Sequence, residues 1–543
     1  MNHLRNRSVL VLGLGESGLA MARWCARSGA QVQVWDSREQ APQVAALREA
    51  VPGVELFSGA LGAEHLAGVQ LVLKSPGLAS HDARIAPLID AARATGIAVG
   101  GELELFARAL ADLKADRGYA PKVLAITGTN GKTTTTAMCA LLVARCGLRV
   151  AAAGNIGPTM LDTLAAALDL ALLPTGSVVE HLPEVWVLEL SSFQLDGVRG
   201  FEPSAAAVLN ISQDHLDWHG TMDAYAAAKA RIFGVNANAN ANANANPDSA
   251  AVMVVNRDDL RVEAMVPPPV AVLVRGGRGK PSPSVGRKVV RFGLEAPQRP
   301  GDFGLVVENG MAWLVRAREV DETLVRHKAG RTDGDEAIQL QRLMPADALH
   351  LRGRHNAANA LAALALATAI GCPLHVLLHG LRDYHGEPHR VQLIASLGGI
   401  EAFDDSKGTN VGATVAALVG LGTDKAPSRL VVILGGDGKG QDFSLLAAPV
   451  ARHARAVALI GRDAASIAAA LDADPAAAAV PRRQHASLEA AVEWCFEQAR
   501  PGDAVLLSPA CASLDMFRNY SHRAEVFVAA VRALAVERGE LLA

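Results

Sequence analysis

Short apolar, β-branched runs alternate along the chain with Ala- and Leu-rich stretches of helical period, and the pattern restarts twice. In the first series Ser8 to Leu12 reads as a strand, glycines follow, and a helix runs through Leu19 to Arg27. Gln31 to Trp35 is the next strand, ending at Asp36; Val69 to Leu73 is another, followed by Lys74-Ser75-Pro76-Gly77. Such alternation predicts a parallel sheet covered by helices. The polar stretch Asp112 to Lys122, with Gly118 and Pro121, reads as a linker. A second series starts at Val123 to Thr127 and continues with strands at Val185 to Leu190 and Ala205 to Ile211. Arg354 to Ile370 predicts a long, buried Ala/Leu helix. The pattern breaks near Tyr384 to Pro388, at Gly386 and Pro388. A third series follows, with strands at Ile400 to Phe403, Leu430 to Leu434, Ala456 to Ile460 and Ala504 to Leu507. Three α/β domains are expected, residues 1–117, 118–386 and 387–543.

Between these series the periodicity collapses. Residues 236–246 repeat Asn-Ala, which offers no apolar face and reads as a low-complexity surface loop. Residues 275–290 and 316–342 read as solvated loops or hairpin insertions.

Composition narrows the function classes. With 543 residues, half of them hydrophobic, the chain is neither a single small module nor disordered. A net charge of −3 argues against sequence-blind binding to nucleic acid, and 4 % aromatics argue against a base-stacking platform. Cys25, Cys139, Cys146, Cys372, Cys495 and Cys511 form no C-x-x-C pair and no disulfide-scaffold spacing, which points to a reducing cytoplasm. The first apolar run is too short for a signal-peptide core, and without an uncharged apolar run of about 20 residues no membrane span is expected.

The strongest local signal is Thr127-Gly128-Thr129-Asn130-Gly131-Lys132-Thr133-Thr134, between a buried strand and a helix. Its glycines let backbone N–H groups face phosphate oxygens, and the helix N-terminus adds partial positive charge. Lys132 has the reach for the β- and γ-phosphates, and the Thr133 hydroxyl suits Mg²⁺. The spacing departs from the standard Walker pattern, since Ile126 stands where the first glycine would be. Gly13-Leu14-Gly15-Glu16-Ser17-Gly18 with Asp36 matches G-x-G-x-x-G followed by a ribose-binding acid. That pattern recognises pyrophosphate, so it suits NAD or another nucleotide diphosphate; a tight turn with close helix packing is the bland alternative.

Glu189 ends an apolar strand beside the phosphate loop, a good place for a Mg²⁺ ligand. Asp214-His215-Leu216-Asp217-Trp218-His219 gathers two carboxylates and two imidazoles, readable as a metal site, as acid–base groups or as a polar turn. Lys229 lies in an Ala-rich helix and reads as an exposed lysine on a solvated face. In the third series, Asp404 to Asn410, Gly435 to Gly440 and Ser508 to Asp515 follow strands, where open α/β sheets bind ligands. Cys511 reads as a small buried cysteine rather than a nucleophile, for want of a local basic partner.

Taken together, Gly128 to Thr134, Glu189-Leu190-Ser191-Ser192, Asn210 to His219, Arg352 to Asn356 with Asn359, His389-Arg390 and the Asp405 to Asn410 loop resemble the Mur ligases. These are ATP-dependent amino-acid ligases of peptidoglycan synthesis, and the resemblance spans nearly the whole chain. The Gly13 loop, Phe193-Gln194, Asp404 to Asn410, Gly436 to Phe443 and Ser508 to Phe517 favour the branch that adds D-glutamate to UDP-N-acetylmuramoyl-L-alanine. The resemblance implies a Rossmann-like N-terminal domain, a central P-loop-type ATPase domain with a mostly parallel sheet, and a Rossmann-like C-terminal α/β domain. It implies that Gly15, Glu16, Ser17, Gly18, Asp36, Ser37, Arg38 and Ser75 bind the UDP-sugar, with Asn155 on the muramoyl substrate or phosphate. ATP would meet Gly128, Thr129, Asn130, Gly131, Lys132, Thr133, Thr134, Asn359, Arg390 and Asp405. Mg²⁺ would be held by Thr133, by Glu189, and by His215 with a carbamylated Lys229, and Lys132, Glu189, His215 and Lys229 would form the catalytic set. Lys407, Thr409, Lys439, Ser513, Leu514 and Tyr520 would line the D-glutamate pocket, Tyr520 standing where the family often has phenylalanine. The Asn-Ala tract and the charged insertions have no counterpart in it. Sister ligases and folylpolyglutamate synthases share the central motifs; an NAD-dependent oxidoreductase fused to an ATPase, or a non-catalytic nucleotide switch, leaves the third-domain loops unexplained.

Overall fold

A strand that is apolar on both faces must be covered on both, and Ser8–Leu12, Val185–Glu189, Ala205–Val208 and Leu430–Gly435, inside the larger sheets, are such strands. The computed structural model describes residues 3–171, 178–234, 251–268, 287–320, 338–351 and 353–540. The Asn-Ala tract, residues 275–286, residues 321–337 and Arg352 lie outside the described residues.

The first sheet comprises β1 (Ser8–Leu12), β2 (Gln31–Trp35), β3 (Glu55–Phe57), β4 (Leu71–Lys74) and β5 (Ala98–Gly100). Its order is β3-β2-β1-β4-β5, all parallel. The order reverses beside β1, so a crevice opens past its C-terminal end, where the Gly13 loop lies. The helix Glu102–Arg117 follows and stops at Gly118, whose φ of 69° suits glycine. The expected linker is therefore shorter than its composition suggested: Asp112 to Arg117 finish this helix.

The second sheet comprises β6 (Lys122–Thr127), β7 (Val150–Gly154), β8 (Val185–Glu189), β9 (Ala205–Val208), β10 (Val252–Asn256) and β11 (Val289–Phe292). It runs β11-β10-β9-β6-β8-β7, again parallel throughout. β9 ends three residues before the expected Ile211, because Asn210 leaves the sheet to bond the phosphate loop. The helix Arg354–Ala369 forms as expected and is buried along most of its length against the helix Lys132–Arg145. A small antiparallel sheet is formed by β12 (Phe303–Glu308), β13 (Met311–Glu319) and β14 (Ile338–Pro345), so the described ends of the 316–342 region are largely strand.

The last sheet comprises β15 (Gln392–Leu397), β16 (Ile400–Asp404), β17 (Leu430–Gly435), β18 (Ala454–Ile460), β19 (Arg482–Gln484) and β20 (Ala504–Leu507). Its order is β15-β16-β20-β17-β18-β19, with only the edge strand β15 antiparallel. No helix among the described residues is long and apolar enough to cross a membrane.

One apolar core runs through the first two units, from Val9 and Val11 across Phe106 to Trp186 and Met253, whereas the last sheet has cores of its own. At the seam the rings of Phe106 and Trp186 meet edge to face at 4.9 Å. Trp186 Nε1 donates to the Tyr119 hydroxyl at 2.9 Å, which donates to the Pro183 carbonyl at 2.6 Å. Tyr119→Phe strands both partners in a buried place. It is expected to cost about 1–3 kcal/mol, read as a lower denaturant midpoint; an unchanged midpoint would show the relay contributes nothing.

Candidate active site

The phosphate loop joins β6 to the helix Lys132–Arg145, and its shape needs glycine at two points. A Cβ on Gly128 would come within 2.9 Å of Leu209 Cβ, and one on Gly131 within 2.4 Å of Asn359 Oδ1. Asn210 braces the loop from the end of β9: its Oδ1 accepts from Asn130 N at 2.8 Å, and its Nδ2 donates to Asn130 O at 3.0 Å. Lys132 folds back over the loop, its Nζ donating to Gly128 O at 2.9 Å and Thr129 O at 2.7 Å.

Lys229 corrects the sequence expectation of an exposed lysine. It is 1 % exposed, and its Nζ donates to the same Gly128 O at 2.9 Å and to Thr127 Oγ1 at 3.2 Å. Burial lowers its pKa well below the usual lysine value, and the nearby Lys132 charge lowers it further. Its helix looked solvated because alanines give no amphipathic contrast. Lys132 is lowered too, by lost solvation first and by Arg390, against Glu189 and Asp214.

Glu189, at the end of β8, is 1 % exposed. Its Oε1 accepts from Asn155 Nδ2 at 2.8 Å, and its Oε2 is buried with no partner. His215 has a φ of 53° and its Nε2 lies 3.6 Å from Asp214 Oδ2. Burial lowers its pKa, and Lys439, Lys132 and Lys229 add to the effect. Among the described residues no three His, Cys, Asp or Glu side chains are grouped as a closed metal cage. An unpartnered carboxylate oxygen beside a phosphate loop still fits Mg²⁺, which typically takes one or two carboxylates and completes its shell with phosphate and water.

A cavity of about 330 Å³ lies between the second and third sheets. Asn130, Gly131, Thr134, Asn359, Arg390 and Asp405 all line it, as do Asn356 and His355. Arg390 NH2 donates to Thr133 Oγ1 at 3.0 Å, tying the third unit to the phosphate loop. Burial raises the Asp405 carboxyl to about 7, and Ser508 Oγ donates to its Oδ2 at 2.6 Å.

A second cavity, of about 550 Å³, opens at the Gly13 loop. Gly15, Glu16, Ser17, Asp36, Ser37, Arg38 and Ser75 line it, with Asn155 reaching in from the second unit. Gly18 lies beneath rather than on the wall: a Cβ there would sit 1.9 Å from Gly13 O. Asp36 accepts from Leu14 N at 2.7 Å and from Arg38, whose guanidinium holds the carboxyl down at about 2. Arg84 and Thr159 also line this cavity and carry no local motif that sequence could have flagged.

The six residues expected around an amino acid are spread over facing loops. Lys407 Nζ stands 5.5 Å from the Tyr520 ring centre, and burial lowers its pKa to about 8. Thr409 follows on the same loop. Ser513 is buried and Leu514 exposed on a loop bridged to that of Lys439 through Asp437 and Ala512. Arg523, fully buried, donates to Ser406 Oγ and O and to Cys511 O, and so fixes two of these loops; a lone arginine in a long helix gave no signal. Cys511 is buried and burial pushes its thiol up to about 12, as a packing residue requires.

Parallel sheets with a phosphate loop, a carboxylate and a buried lysine define a nucleotide-dependent enzyme framework, and the chain belongs to the Mur ligase family. Residues 7–101 match the Mur ligase MurD-like N-terminal domain, 126–274 the Mur ligase middle domain, and 389–511 the Mur ligase glutamate ligase domain. The chain is 57 % identical to a UDP-N-acetylmuramoylalanine--D-glutamate ligase of Albidiferax ferrireducens, covering 99 % of this chain and 98 % of that one. It is 55 % identical to the Burkholderia pseudomallei protein of the same name, over 98 % of each. Among solved structures, UDP-N-acetylmuramate-alanine ligase from Thermotoga maritima matches with a TM-score of 0.52 at 18 % identity, covering 97 % of this chain and 99 % of that one. The MurF ligase from the same organism, solved with ADP, matches with 0.52 at 15 %, covering 98 % and 96 %. At that identity the two share the fold.

His219 donates to or accepts from Ser192 Oγ at 2.9 Å, and burial holds its pKa down at about 4, against about 6.5 when unfolded. Its contribution to stability is complete above the unfolded value and is lost as pH falls towards 4. His219→Gln is expected to flatten the fall in denaturation midpoint between pH 6.5 and 4. An unchanged slope would place that dependence elsewhere.

Proposed function

We propose that this protein joins the amine of D-glutamate to the carboxylate of UDP-N-acetylmuramoyl-L-alanine, using ATP, as a step of peptidoglycan precursor synthesis in the cytoplasm. The observation that carries this reading is the bond from Arg390 of the third unit to Thr133 of the phosphate loop, with Asn155 joining Glu189 to the cavity at the Gly13 loop; full-length relatives named for that reaction support it. Residues 1–117 form the UDP-sugar domain, 118–386 the ATP domain and 387–543 the amino-acid domain.

In this reading the cavity at Gly15, Glu16, Ser17, Asp36, Ser37, Arg38 and Ser75 takes the UDP moiety, and Asn155 orients the muramoyl carboxylate. Asn359 and Asp405 hold the adenosine part of ATP. The loop from Gly128 to Thr134 and Lys132 hold its phosphates, with Arg390 opposite. Thr133, Glu189, His215 and Lys229 would hold Mg²⁺, which when bound neutralises charge on the phosphoryl oxygens. The lowered pKa of Lys229 favours the neutral amine, which with CO₂ gives a carbamate and a proton, turning a cation into an anionic ligand.

A carboxylate is a poor electrophile. Its attack on the γ-phosphate gives an acyl phosphate and ADP, a step that positioning and electrostatics accelerate. Lys132 and Arg390 stabilise the charge on the transferring group. Lys407, Thr409, Lys439, Ser513, Leu514 and Tyr520 present D-glutamate, whose amine attacks the acyl carbon; phosphate leaves from the tetrahedral intermediate. Closure of the third domain near Gly386 excludes water, which would otherwise hydrolyse the acyl phosphate.

Phosphate release from ATP with UDP-N-acetylmuramoyl-L-alanine and a panel of amino acids tests the reading. Release with D-glutamate and an amide product of matching mass supports it; release only with another acceptor moves the protein to a sister activity. Lys132→Ala is expected to abolish release, and full activity in that variant would remove the lysine from the mechanism. Lys229→Ala is expected to lose activity and regain part of it with an added short-chain carboxylic acid. Wild-type Mg²⁺ dependence in Lys229→Ala would overturn its role as a ligand.

A further inference from the structure

Asn410 belongs to the third unit, yet its side chain reaches the phosphate loop of the second. Its Nδ2 donates to Asn130 Oδ1 at 3.1 Å, and Asn130 Nδ2 donates back to Asn410 Oδ1 at 3.3 Å. The same Nδ2 lies 3.4 Å from Asp214 Oδ2, next to His215. Asn410 Oδ1 also caps the helix Val411–Lys425 by accepting from Ala413 N at 2.9 Å. The side chain is 5 % exposed, so these bonds replace water rather than compete with it. The approach is close on both sides: a Cβ on Gly412 would stand 3.0 Å from Ser212 Oγ and 3.2 Å from Asn130 Nδ2.

Position along the chain gives these contacts their meaning. Asn130 lies inside the phosphate loop, between Thr129 and Gly131. Asn410 directly follows Thr409 and is three residues from Lys407. A shift of the phosphate loop therefore moves the backbone that carries the amino-acid contacts.

We propose that Asn410 is a positioning residue that latches the amino-acid loop to the phosphate loop, so that the acceptor amine is aligned with the acyl phosphate only when both loops are engaged. This rests on the ligase reading above. The amide serves here because it both donates and accepts. Aspartate can cap the helix but offers no donor to Asn130 and brings a second carboxylate against Asp214. Serine can cap the helix but falls short of Asn130.

The test compares Asn410→Asp and Asn410→Ser with the wild type. Both replacements are good helix caps, so the fold is expected to persist. The rate of amide formation is expected to fall about 10- to 100-fold, the scale of a misplaced reacting group. KM for the UDP-sugar is expected to stay within about twofold, because that site is remote from the latch. The distinctive readout is stoichiometry. A misaligned amine leaves the acyl phosphate to water, which returns the carboxylate and phosphate, so phosphate released should exceed amide formed, whereas the wild type gives one of each. Asn130→Ser combined with Asn410→Ser should lose little more than the worse single variant.

Wild-type rates in both variants would overturn the latch, as would slowed variants that keep one phosphate per amide. Unfolding of both variants would also overturn it, by making Asn410 a purely structural cap. Failure of the wild-type chain to release phosphate with D-glutamate would instead remove the ligase reading itself.

Discussion

Two lysine amines converge on one carbonyl oxygen. Lys132 and Lys229 both donate to Gly128 O, each at 2.9 Å, and neither forms an ion pair with a carboxylate among the described residues. Burial penalises the charged form of both, and the Lys132 charge lowers Lys229 further. The carboxylates that offset them, Glu189 and Asp214, act through space. Such a pocket is electrostatically incomplete and gains from an anion, which is what a polyphosphate supplies. The elements around it hold that arrangement in place: β6 and the helix Lys132–Arg145 fix the two ends of the loop, Asn210 after β9 braces it, β8 brings up Glu189, and the helix Met222–Ala230 delivers Lys229 from the far side.

The third unit completes the pocket from outside. Arg390 bonds the Thr133 hydroxyl, and the adjoining cavity takes walls from both units, Asn359 on one and Asp405 on the other. Pockets between units suit a reaction whose intermediate must be shielded from water, because one movement both seals the site and brings the second substrate to the first.

Much of this framework was legible in the sequence where local patterns encode local physics. Strand, glycine turn and helix must be consecutive to form a phosphate loop, so Gly128 to Thr134 and Gly13 to Gly18 could be read directly. Asp36 could be placed because it ends the strand beside the glycine loop. Lys229 could not: its burial depends on β6 and the Gly128 carbonyl, about a hundred residues earlier in the chain. Arg523, Arg84 and the Asn130–Asn410 pair are equally non-local, joining segments whose adjacency only the folded sheets create. Strand limits erred where a side chain had a better partner than the ladder, as at Asn210. The strands β13 and β14 were obscured by the charged and polar residues within them.

The continuous core shared by the first two sheets has a mechanical consequence. Phe106 and Trp186 belong to different sheets' surroundings but to one packed interior, while the third unit meets them across polar loops and cavities. Pulling the first two apart would expose apolar surface; swinging the third breaks polar contacts such as Arg390–Thr133 and Asn410–Asn130, whose groups water can satisfy. The molecule is thus two packed bodies assembled from four sheets: a large amino-terminal block with a continuous interior and a carboxy-terminal block with cores of its own.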